Sequence, residues 1–197
     1  MISIIDYKAG NAPSVLNAVH KLGLKARLCP KPEFLRGASH IILPGVGSAG
    51  ATMRSLAESG FLSALSEAVL QKNIPYLGIC VGMQILFEYS HEENTECLGW
   101  LKGNVIRFDS TKVRVPQMGW NKVRFTKPVP FNCADNYFYF VNSFYAVPQD
   151  KADIWGTAEY GTDFTAAVNR GNIYGTQFHA EKSGAAGLEL LRGFLQC

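Results

Sequence analysis

One cysteine in this chain stands where chemistry is possible. Residues 75–88 read PYLGICVGMQILFE, an apolar run that ends in Cys80, with Gly78 and Gly82 two residues away on either side. A sharp strand-to-helix turn crowds the residues around its apex and demands small neighbours. The pattern Gly-x-Cys-x-Gly therefore fits a nucleophile elbow with cysteine in the place of serine. A helix starting at Val81 would direct free N–H groups and a positive dipole end at the sulfur, favouring the thiolate. The Val81 N–H would be a donor for an oxyanion. Gln84, four residues on, would share a helix face with Cys80 and is placed to hold an amide-bearing substrate. The same residues also fit a small buried hydrophobe, a common role for free cysteine.

A nucleophile of this kind needs a base. The histidines are His20, His40, His91 and His179. His20 falls near a helix end, His40 opens a strand and His91 lies in a polar stretch, positions that suit structural or solvated roles. His179, in IYGTQFHAEKS, follows a strand as Cys80 does. Glu181 is two residues further on, and in extended chain residues i and i+2 face the same way. A carboxylate so placed orients an imidazole and supports its cation. His-x-Glu alone also describes ordinary surface polarity; joined to the elbow, it yields a Cys80-His179-Glu181 triad.

The elements that must position these groups follow from hydrophobic pattern. Strands are expected at Ile2–Ile5, Lys25–Cys29, His40–Leu43 and Tyr76–Ile79. Between them come a helix entered at Asn11 with Pro13 in its first turn, and helical patterns from Ala51 to Lys72. A helix is expected from Val81 to Glu88. This βαβα rhythm predicts an α/β fold with an open, mostly parallel sheet flanked by helices, binding ligands beyond the carboxyl ends of its strands. Pro44-Gly45-Val46-Gly47 and Cys80 both fall at such ends. The second half adds antiparallel strands, expected at Lys112–Val115, Lys122–Phe125, Tyr137–Phe144 and Ile154–Glu159. Ile173–Phe178 is a last strand and Ala185–Leu195 a closing helix.

Composition bounds the rest. The 197 residues suit one domain spanning 1–197, and 47% apolar with 18% charged residues suffices for a sizeable core. A net charge of +3 without a basic tract points away from nucleic acid and membrane surfaces. No apolar run approaches the roughly 18 residues of a membrane span. The five cysteines, Cys29, Cys80, Cys97, Cys133 and Cys197, are odd in number and lack CxxC spacing. That argues against a disulfide framework or zinc site and for a reducing, cytoplasmic setting.

Gly78-Ile-Cys-Val-Gly-Met-Gln84 and His179-Ala-Glu181 resemble the nucleophile and base motifs of the class I, triad-type glutamine amidotransferases, and Pro44-Gly-Val-Gly-Ser48 resembles their oxyanion strand. Ile5-Asp-Tyr-Lys-Ala-Gly-Asn11, Pro116-Gln-Met-Gly-Trp-Asn121 and Tyr139-Phe-Val-Asn-Ser-Phe-Tyr145 further resemble stretches of the glutaminase subunits of imidazole glycerol phosphate synthases. The resemblance implies hydrolysis of L-glutamine through a Cys80 thioester. It places oxyanion donors at Val46 and Val81, and substrate contacts at Gly45, Gln84, Glu92, Ser143 and Phe144. Because it spans nearly the whole chain, it also implies a separate (β/α)8-barrel cyclase partner in a heterodimer, met through Asn11, Trp120, Tyr139 and Lys182, with no cofactor or metal in this chain. The chain departs from the pattern at Lys8, Ala180, Asn142 and Phe144, where glycine, proline, histidine and tyrosine are usual. A glutaminase serving another synthase, and a scaffold with a decayed site, are the alternatives.

Overall fold

The structure, a computed structural model, describes residues 1–8, 11–128 and 136–196; Ala9, Gly10, Cys133 and Cys197 lie outside the described residues. The first half builds β1 (Ile2–Ile5), α1 (Ala12–Lys21), β2 (Ala26–Cys29), β3 (His40–Gly45), α2 (Ala49–Glu58), α3 (Phe61–Ser66), β4 (Tyr76–Cys80) and the single turn α4 (Val81–Gln84). The short strands β5 (Tyr89–Ser90) and β6 (Thr95–Glu96) follow, then β7 (Gly103–Arg107), β8 (Gln117–Lys122), β9 (Arg124–Phe125), β10 (Tyr137–Asn142) and β11 (Phe144–Pro148). The chain continues through β12 (Ile154–Glu159), β13 (Asp163–Arg170) and β14 (Ile173–Thr176) to α5 (Gly184–Leu195).

β1 and β4 are buried at every residue, as strands covered on both faces of a parallel sheet must be. The parallel core runs β2-β1-β3-β4-β14, and β13, β11 and β7 extend it antiparallel. α1 buries Ala12, Val15, Ala18 and Val19 at helical spacing, and packs against β1, β2 and α5. The mixed α/β architecture is therefore the expected one, with the antiparallel strands joining the main sheet.

β8 and β10 form a separate antiparallel ribbon, with Trp120 opposite Tyr139 and Met118 opposite Val141. Alternation sends Phe138 and Phe140 into the core, while Tyr137, Met118 and Trp120 remain exposed. The Phe138 ring stacks on Phe178, centroids 4.1 Å apart. This fixes the ribbon against the segment that carries His179.

Several expected elements differ. The helix read over Val81–Glu88 stops after one turn, because the carbonyls of Ile85, Leu86 and Phe87 accept from the N–H groups of Leu98, Leu101 and Gly99 instead. Lys112–Val115 forms no strand; the Lys112 and Val113 N–H groups turn back onto the Asp109 carbonyl. Lys122–Phe125 divides, since Val123 leaves the ribbon to bond the Asn136 carbonyl. Tyr137–Phe144 breaks at Ser143, whose carbonyl accepts from Phe108 as the chain changes sheets. The long helical stretch before Lys72 begins at Ala49 and breaks at Gly60, which takes φ 74°. Gly103–Arg107 and Asp163–Arg170 are strands that no individual expectation covered.

Candidate active site

The elbow is built by close contact. Cys80 adopts φ 55° and ψ −111°, a conformation costly for a residue with a Cβ. A Cβ on Gly78 would lie 2.2 Å from the Gly82 carbonyl oxygen, and one on Gly82 2.1 Å from that of Leu43. Gly45, paired with Cys80 across β3 and β4, could not carry a Cβ either, since it would come within 2.7 Å of the Gly82 nitrogen. The buried Tyr76 hydroxyl donates to the Gly82 carbonyl at 3.1 Å and holds the turn from below. Spacing that suggested an elbow in the sequence thus has a steric cause in the fold.

β4 and β14 are parallel neighbours with Ile79 opposite Thr176. The chain beyond each strand emerges on the same side, which brings together residues about a hundred positions apart. The His179 ring is close enough to the Cys80 thiol to interact with it, and His179 Nδ1 lies 2.9 Å from Glu181 Oε1. The backbone of His179 is held too: its N–H donates to the Tyr139 carbonyl at 2.9 Å, and the Ser183 hydroxyl donates to its carbonyl at 2.6 Å. Side-chain exposure is 4% for His179 and 1% for Glu181. Burial opposes the imidazolium, yet the hydrogen bonds to Cys80 and Glu181 and their charges outweigh it and raise the His179 pKa from 6.5 to about 9.

A cleft of ≈ 210 Å³ opens over the sulfur, lined by Gly47, Val81, Gln84, Glu92, Ser143 and Phe144 among others. A larger hollow of ≈ 530 Å³ beside Lys8, Pro30 and Glu58 does not reach Cys80; the chemistry belongs to the smaller cleft because the thiol opens into it. Glu92 accepts from the Ala49 N–H at 2.8 Å, and burial pushes its carboxyl pKa up despite that bond, with the Glu93 charge adding to the rise. A cation entering the cleft would relieve that cost. Gln84 directs its amide nitrogen at the Phe144 carbonyl and at Gln177 Oε1, both at 3.0 Å. Val46, 40% exposed, sits just past β3.

Asn11 stands at the start of α1, where its backbone carbonyl accepts from Ser14 and Val15, but its side chain does not cap the helix. It reaches Glu181 instead, Nδ2 donating to Oε1 at 3.1 Å, and is held by Ser14 Oγ at 2.6 Å. Trp120 and Lys182 face outward near Tyr139, whose ring meets Trp120 edge-on. Sequence reasoning missed Gln177, which lies against the cysteine sulfur at 3.6 Å. The i, i+2 alternation that linked His179 to Glu181 reaches back to Gln177 as well. Among the described residues no group of three or more His, Cys, Asp or Glu is gathered to hold a metal ion.

Comparison with known proteins agrees with this arrangement. The family described as "Glutamine amidotransferase class-I" matches residues 3–197. The imidazole glycerol phosphate synthase subunit HisH of Dehalococcoides mccartyi is 46% identical, over 100% of this chain and 97% of its own. That of Leptospira borgpetersenii is 44% identical over 98% of each. A solved structure of a glutamine amidotransferase superimposes with TM-score 0.79 over 99% of this chain and 97% of its own, at 19% identity, a likeness of fold.

Proposed function

Since the chain belongs to the class I glutamine amidotransferases, we propose that it is the glutaminase subunit of an imidazole glycerol phosphate synthase and serves histidine biosynthesis. The relatives of that name, at 44–46% identity over nearly the full length, support the assignment. We read residues 1–197 as one amidotransferase domain at work in the cytoplasm. No described helix is long and apolar enough to cross a membrane.

The observation that carries the reading is the His179 imidazole set between Cys80 and Glu181, bonded to the carboxylate and facing the thiol beside a cleft. Cys80 attacks the side-chain amide carbon of L-glutamine. His179 gives its proton to the amide nitrogen, ammonia leaves, and a thioester remains. Water, deprotonated by His179, then attacks the thioester carbon, releasing glutamate and restoring the thiol. The N–H groups of Val46 and Val81 receive the oxyanion of each tetrahedral intermediate, each worth about 3 kcal/mol when well aimed. Gly45, Gln84, Ser143 and Phe144 shape the substrate site. The Glu92 carboxylate meets the α-ammonium of glutamine.

Ammonia passes to a (β/α)8-barrel cyclase subunit. The outer face of the β8–β10 ribbon is the surface we assign to that partner. Met118 and Trp120 are 66% and 58% exposed there, unusual for large apolar side chains unless something covers them. Asn11, Tyr139 and Lys182 border the same face. The test is Cys80→Ala in the assembled complex: synthesis from glutamine is lost, and synthesis from added ammonium salt is retained. Loss of both activities with the complex intact would refute separate glutaminase and synthase sites.

A further inference from the structure

The buried amide of Gln177 has one orientation open to it. The Phe144 carbonyl can only accept, so the Gln84 atom 3.0 Å from it is the amide nitrogen. That same nitrogen lies 3.0 Å from the Gln177 side chain, which must answer with its oxygen; a flipped Gln177 would set two donors against each other. The Gln177 NH2 is thereby turned toward Cys80 Sγ at 3.6 Å. Gln177 is fully buried and Gln84 is 3% exposed, so water cannot substitute for either bond. The Gln177 backbone N–H is tied to the Ala166 carbonyl at 2.8 Å, which keeps the residue from withdrawing.

From this relay we propose that Gln177 is a further catalytic residue: its amide, held by Gln84 and the Phe144 carbonyl, donates to the Cys80 sulfur and favours the thiolate over the thiol. A thiolate accepts an N–H bond far better than a thiol, because charge-assisted bonds are the stronger ones. The thiol form has its own partner, the Val141 carbonyl at 3.9 Å, which can only accept and gives the thiolate nothing. The two protonation states of one sulfur therefore draw on opposite walls of the site. The inference rests on Cys80 being the nucleophile of the proposed glutaminase. It adds a neutral donor beside the imidazole already described, and it gives a role to an uncharged amide buried just past the carboxyl end of β14.

The titratable groups facing the sulfur are His179 and Tyr7, with Glu181 behind the imidazole and Glu92 in the same cleft; both variants below leave all four unchanged. The measurement is the rate of Cys80 alkylation by iodoacetamide against pH, read by peptide mass spectrometry in the purified full chain. Gln177→Met keeps the length and removes the donor. Its alkylation at pH 7 should fall about tenfold, and its profile should move up by about one pH value with the plateau at high pH unchanged. Gln177→Glu keeps the acceptor for Gln84 and sets a carboxyl against the sulfur, so its profile should move up at least as far; it also decides the matter if the methionine variant does not fold. A folded variant whose profile coincides with that of the wild type overturns the assignment. In the wild type, Cys80 should be alkylated ahead of Cys29 and Cys97. If it is not, the nucleophile reading itself fails, a result distinct from coincident profiles.

Discussion

Replacing Glu181 with glutamine changes one atom and removes one charge. The amide oxygen can still accept from His179 Nδ1, now 2.9 Å from Oε1, and from Asn11 at 3.1 Å. The loss is in the support for the imidazolium. The rise of the His179 pKa from 6.5 to about 9 corresponds to about 3 kcal/mol in favour of the cation. Burial works against that rise, so the gross support from Cys80 and Glu181 exceeds the net figure. Glu181 supplies part of that support through both its hydrogen bond and its charge, so glutamine turnover should fall roughly ten- to hundredfold. Glu181 Oε2 is buried without a hydrogen-bond partner, so an amide NH2 placed there finds no acceptor and adds a cost to folding rather than a compensating bond. The assay is glutamate release by the complex with saturating partner, beside a binding measurement showing that the complex still forms. Turnover equal to the wild type would refute the argument, because no route from the structure leaves the imidazolium unaffected when its buried counter-charge is gone.

Two further outcomes follow from the same geometry. Gly78→Ala should destabilise the fold by about 3 kcal/mol or more, since its Cβ would meet the Gly82 carbonyl at 2.2 Å and the Met83 nitrogen at 2.7 Å, both backbone; a urea midpoint unchanged from the wild type would contradict it. The raised His179 pKa also makes a signed statement about pH. The folded state holds this proton more tightly than the unfolded one, so the contribution is full below pH 6.5 and is lost as pH rises through about 9. The stability of the wild type relative to His179→Gln should accordingly shrink by about 3 kcal/mol across that window in denaturant melts, and a difference independent of pH would count against the raised pKa.

The parts of the fold legible in advance were those whose signal is local. Ile2–Ile5 and Tyr76–Cys80 are continuous apolar runs with helical patterns between them, and a strand buried on both faces leaves that mark. The failures share one cause. Whether Val81–Glu88 continues as a helix depends on what competes for its last carbonyls, and the competitors Leu98, Gly99 and Leu101 are distant in sequence. Gly103–Arg107 and Asp163–Arg170 become strands by pairing within the sheet extension, which no periodicity of their own announces. In the site, the cysteine and histidine were legible because one ends a strand and the other closely follows one. Their meeting was not, since it depends on β4 and β14 being neighbours in the sheet. Gln177 was overlooked for the same reason: its partner sulfur is 97 positions away.

The residues we assign to the partner surface are not separate from the triad. Asn11 donates to the carboxylate that supports His179, the Tyr139 carbonyl accepts the His179 backbone N–H, and the Lys182 N–H donates to the His179 carbonyl. Each of these contacts is a single hydrogen bond from the imidazole-bearing residue or its carboxylate. Tyr139 contributes through its backbone, so changing its side chain alters the outer face while leaving the bond to His179 in place. Asn11 contributes through its side chain, so changing it alters the face and the triad at once. Substitutions at these two positions therefore carry different information, and only the first isolates docking from chemistry. Glutamine turnover with and without the partner must be measured for both before a loss of activity is ascribed to weaker assembly.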